Sequence, residues 1–73
     1  MNVFQERGIT HLDLHGERHI DVGITVLDFV LQYQDEIPLI IICGNSNQTI
    51  NIVIKELKKT LLYIHRQGLV LLE

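Results

Sequence analysis

The chain's 73 residues, 47% of them apolar, are enough for one small domain. A formal net charge of −3 argues against a strong non-specific grip on nucleic acid, though a local basic patch remains compatible with it. The single cysteine cannot form an internal disulfide, and the longest apolar run, Leu39–Cys43, is far too short to span a bilayer.

The first seven residues, Met1-Asn2-Val3-Phe4-Gln5-Glu6-Arg7, lack the charged start and apolar stretch of a signal peptide, so a cytoplasmic protein is expected. Residues 1–10 carry little pattern. Val3 and Phe4 are candidates to pack on the core, and Gly8 marks a bend. At His11–His15, apolar Leu12 and Leu14 alternate with His11, Asp13 and His15, the period of a half-buried strand. Gly16 breaks it. Alternation sends Asp13 and His15 to the same face, at the carboxyl end of the strand, where open α/β sheets bind ligands. His11 reads as a surface strand residue.

Helix one is predicted over His19–Gln34. Ile20, Ile24, Leu27 and Leu31 share a stripe, which Val22, Val26, Phe29, Val30 and Tyr33 widen to an apolar arc of roughly 220°. A helix lying on a sheet needs an arc of only about 100° or somewhat more. The excess predicts a second apolar contact, either the N-terminal segment or another subunit in a homo-oligomer. Gly23 lies within the arc and permits close backbone approach. Pro38 closes the next loop. Leu39–Cys43 has the continuous apolar character of a central parallel strand buried on both faces. Gly44-Asn45-Ser46-Asn47 ends it with helix-capping residues. Helix two is predicted over Asn47–Thr60, with Ile50, Val53, Ile54 and Leu57 inward and Asn51, Lys55, Lys58 and Lys59 outward. Residues Leu61–His65 either prolong this helix or form a β-hairpin with Leu69–Leu72 through Arg66-Gln67-Gly68. The hairpin is preferred, because Tyr63, Ile64 and Val70 favour strand. The expected fold is α/β, a β-α-β-α-β-β two-layer sandwich with a small mixed sheet.

Two parallel strands would bring His15-Gly16 and Cys43-Gly44-Asn45-Ser46 to one sheet edge. The start of helix two adds free N–H groups and a positive dipole end suited to phosphate. Arg18 and His19 can bring positive charge to the same rim. An acid, an imidazole and an anion cradle suit phosphodiester chemistry, because imidazole titrates near neutral pH and serves as base or acid. Asp13, His15 and His19 do not follow a recognised zinc spacing, so no metal or cofactor is expected. Cys43 is expected to be an apolar filler rather than a nucleophile.

Leu12-Asp13-Leu14-His15-Gly16 resembles the LDLHG motif that opens the small MutS-related (Smr) domain, and the resemblance extends over nearly the whole chain from Leu12. The second motif of that family, usually HGxGxG or TGxG, is altered. Gly44 is kept, Cys43 replaces His or Thr, and Ser46 replaces Gly. The run Gly16-Glu17-Arg18-His19-Ile20-Asp21-Val22, together with Gly44-Asn45-Ser46, looks like short stand-alone Smr-like proteins of bacteriophages and bacteria. That would place the chain in the host cytoplasm if it is phage-encoded. The resemblance implies a fold similar to the C-terminal domain of translation initiation factor three, and nucleic-acid binding to RNA or DNA. It also implies, for some members, metal-independent endonuclease activity linked to the Asp and His of the first motif, here Asp13 and His15. Phosphate binding then falls to Gly16, Arg18, His19, Gly44, Asn45, Ser46 and Asn47. The alternative expectation keeps the fold without the chemistry, as a nucleic-acid-binding or protein-interaction adaptor that self-associates through helix one.

Overall fold

The computed structural model describes residues 1–65 and 70–73. It is a four-stranded sheet carrying two helices, in the order β1 (Asn2–Glu6), β2 (Ile9–Asp13), α1 (His19–Tyr33), β3 (Leu39–Ile42), α2 (Asn47–Tyr63), β4 (Val70–Leu72). The α/β class and the mixed sheet are as expected; the order of elements is not. The additional strand lies at the start of the chain rather than in a C-terminal hairpin. β1 and β2 pair antiparallel through the two-residue turn Arg7-Gly8. Both turn residues have positive φ, 54° and 77°, the backbone of a type I′ hairpin, whose twist matches that of its strands.

β2, β3 and β4 are parallel, so the spatial order is β1-β2-β3-β4. The two crossovers step the same way across the sheet. Right-handed connections therefore place both helices on one face. Val22, Val26, Phe29 and Val30 of α1 and Val53 and Leu57 of α2 meet Leu12, Leu14, Leu39, Ile41 and Cys43 in a single core. Strand alternation sends Phe4, His11, Asp13, Ile40 and Leu71 to the opposite, uncovered face. The expectation that β3 is a central parallel strand buried on both faces holds over Leu39–Ile41. Helices cover one side only, and on the other Ile40 is shielded by its strand neighbours while Ile42 is half-buried.

Residues Leu61–Tyr63 prolong α2, against the preferred hairpin. The physical reason is the continuing stripe Leu57, Thr60, Leu61 and Ile64, which packs on or beside the core and overrides the strand propensity of Tyr63 and Ile64. Val70–Leu72 is a strand, but it pairs with β3. The expected turn Arg66-Gln67-Gly68 lies outside the described residues, as does Leu69. His11, expected at the surface, is buried. Its ring stacks on Phe4 at 5.0 Å between centroids, and Nδ1 donates to the Ile9 carbonyl at 2.8 Å. No helix among the described residues is long and apolar enough to cross a membrane.

Candidate functional site: an aspartate–histidine pair at the sheet edge

β2 ends at Asp13, and Leu14 still bonds to β3, its N–H donating to the Ile42 carbonyl at 3.0 Å. The chain then turns. Glu17 N–H donates to the Leu14 carbonyl at 3.0 Å, which puts Gly16 at the third position of a four-residue turn. Gly16 has φ +76°, a conformation L side chains rarely adopt, so glycine here lets the strand reverse directly after His15.

The same reversal closes a local ring. Asp13 Oδ1 accepts the His15 backbone N–H at 2.9 Å and faces His15 Nδ1 at 2.9 Å. Two donors on one carboxylate favour its ionised form. The His15 backbone bond, then its side-chain bond, hold Asp13 below the ordinary aspartate value of 3.8. An ionised carboxylate only accepts, so Nδ1 is the nitrogen that donates to Asp13, and Nε2 is turned away from it. The His15 side chain is 72% exposed, against 24% for Asp13. The carboxylate is set back and the imidazole stands forward.

β3 supplies the other side of the site. Its loop passes under the imidazole at Gly44, where a Cβ built on the backbone would lie 3.4 Å from His15 Nε2. Gly44 also has φ +71°. The two predicted motifs therefore meet at the His15 ring. Next along the loop, Ser46 is the N-cap of α2: its Oγ accepts the Thr49 N–H at 3.1 Å. One lone pair of that hydroxyl is thus used inside the protein, while Asn45 and Asn47 are exposed. Arg18 and His19 stand exposed at the start of α1, and Arg18 Nε donates to Asp21 Oδ2 at 3.0 Å rather than lying free. Cys43 is buried, its Sγ 4.0 Å from the Ile41 carbonyl, and burial pushes its thiol pKa up. It is a neutral filler.

The parity of β2 places the pair at the rim of the uncovered sheet face, two residues beyond the Phe4–His11 stack. Sequence reasoning missed that stack because it assigned no strand before His11. The signal was present in Arg7-Gly8, a two-residue turn between alternating segments. No group of three or more His, Cys, Asp or Glu arranged to hold a metal occurs among the described residues. Compared with known proteins, the chain matches no family model, no curated protein and no solved structure. Its class therefore rests on its own architecture: a two-layer mixed α/β domain with an Asp–His pair at the carboxyl edge of its parallel strands.

Proposed function

We propose that this is an Smr-like nucleic-acid-binding domain that cleaves phosphodiester bonds by acid–base chemistry at His15. The observation that carries the reading is the oriented imidazole: Asp13 holds Nδ1 at 2.9 Å, and Nε2 faces the Gly44 loop and solvent. In this role Nε2 takes a proton from a 2′-hydroxyl or a water, and the ionised Asp13 stabilises the imidazolium that forms. The protonated ring then returns that proton to the leaving oxygen. The first amides of α2, at Asn47 and Gln48, have no intrahelical acceptor and suit a phosphate oxygen. The resemblance of Leu12-Asp13-Leu14-His15-Gly16 to the opening Smr motif supports the same reading.

The test is incubation with labelled RNA, single-stranded DNA and double-stranded DNA, with and without EDTA, and repetition with His15→Ala. Cleavage that resists EDTA and disappears in His15→Ala is expected. Cleavage that survives the substitution overturns the assignment of His15. Binding that falls steeply with salt but is never followed by cleavage marks the non-catalytic adaptor instead.

A further inference from the structure

α1 is apolar on two opposite faces. Val22, Val26, Phe29 and Val30 are buried against the sheet. The outward face carries Ile20, Ile24, Leu27 and Leu31, at the spacing of one helical stripe, with Ile20 83% and Ile24 62% exposed. Asp21, Thr25, Asp28 and Gln32 confine polarity to one flank, so the apolar arc is wider than a single sheet contact needs. The patch continues onto α2 at Tyr63, which joins Leu27 and Leu31 along the groove between the helices.

The charges around this patch are segregated. α1 contains Asp21 and Asp28 and no lysine or arginine; α2 contains Lys55, Lys58 and Lys59 with a single acid, Glu56. Among the described residues Asp28, Lys55 and Lys58 make no ion pair, while Asp21 is engaged by Arg18 and Glu56 by Lys59. One helix layer thus presents an apolar centre, an acidic flank and a basic flank. Such a surface complements itself.

We propose that the helix layer binds a second copy of this chain, α1 of each protomer lying along α2 of the other. A two-fold axis running along the helices brings Asp28 toward the lysine face of the partner and vice versa, as an isologous interface requires. A two-fold axis across the helices would stack α1 on α1 and α2 on α2, like charge on like. The segregation of charge selects the first arrangement. The interface leaves the uncovered sheet face and the Asp13–His15 rim outside it, so it stands independently of the catalytic reading.

Analytical ultracentrifugation over a wide concentration range tests this on the full chain. The expected species has twice the 8.4 kDa chain mass. Ile24→Asp, at an exposed position, is expected to weaken the dimer at least tenfold while leaving the circular dichroism spectrum unchanged. Asp28→Lys is expected to weaken it several-fold in low salt, and adding Lys55→Glu and Lys58→Glu to that variant to restore it. This charge-exchange readout stands even if Ile24→Asp fails to fold. A monomer at every concentration overturns the proposal. So does a dimer broken by Leu71→Asp, on the uncovered sheet face, but not by Ile24→Asp.

Discussion

Asp13 and His15 are two residues apart on a strand, and their bonds depend on Gly16 reversing the chain immediately afterwards. Asp13 ties this ring of bonds to pH. Its carboxyl is depressed in the folded state, so it contributes stability that is present above its unfolded value and lost as pH falls through the lower folded value. Thermal melts from pH 6 to pH 2 are therefore expected to fall more steeply for the wild type than for Asp13→Asn, with the two curves diverging below about pH 4. Equal slopes would mean that the Asp13–His15 bonds do not persist in solution. Gly44→Ala places a side chain at φ +71° and against His15 Nε2. It is expected to cost about 1–2 kcal/mol in chemical denaturation, from the left-handed backbone alone, and to lower the proposed cleavage by crowding Nε2. The Asp–His pairing was legible in the alternation of residues 11–15. Capping by the Gly44–Asn47 segment was legible as well; that Ser46 is the residue that caps α2, and that Arg18 pairs with Asp21, was settled by which nearby partner lies closer.

At the level of elements, the two helices are held by different means. α2 has a side-chain cap at Ser46, whereas α1 starts at Arg18 with no side-chain cap bond and depends on burial. Ser46→Ala is expected to destabilise the domain by about 1 kcal/mol, seen as a lower denaturation midpoint with unchanged slope. Gly23, inside α1, faces Glu56, and an added Cβ would lie 3.3 Å from Oε1. That atom is the far end of a flexible side chain and can move aside. Gly23→Ala is therefore expected to stabilise the domain by up to about 1 kcal/mol through helix propensity; a lower melting temperature would show that Glu56 is held rigidly by Lys59 and Thr60. The helix starts were readable from spacing and capping residues. The end of α2 was not, because Leu61 and Ile64 follow the strand and helix patterns equally well until the core is present.

For the molecule as a whole, size is the controlling fact. A domain this small buries roughly 60% of its unfolded surface and has little stability to spare. Phe29, fully buried on the sheet-facing side of α1, is the test of that margin. Phe29→Ala is expected to cost about 3–5 kcal/mol, enough to leave most of the chain unfolded at room temperature by circular dichroism. Pairing through the helix layer would add stability by mass action, so the melting temperature of the wild type is expected to rise with protein concentration, and that of Ile24→Asp to stay constant.

The linear chain by itself determined the two helices, the central β3 run, the chemistry gathered at Asp13 and His15, and an apolar arc on α1 too wide for a single sheet contact. These are local properties, set by residue type and by the periods 2 and 3.6. Only the tertiary structure decided where the fourth strand sits and which half of the α1 arc meets the sheet. Each of those depends on competition between distant surfaces for burial, and no short stretch of residues contains both competitors.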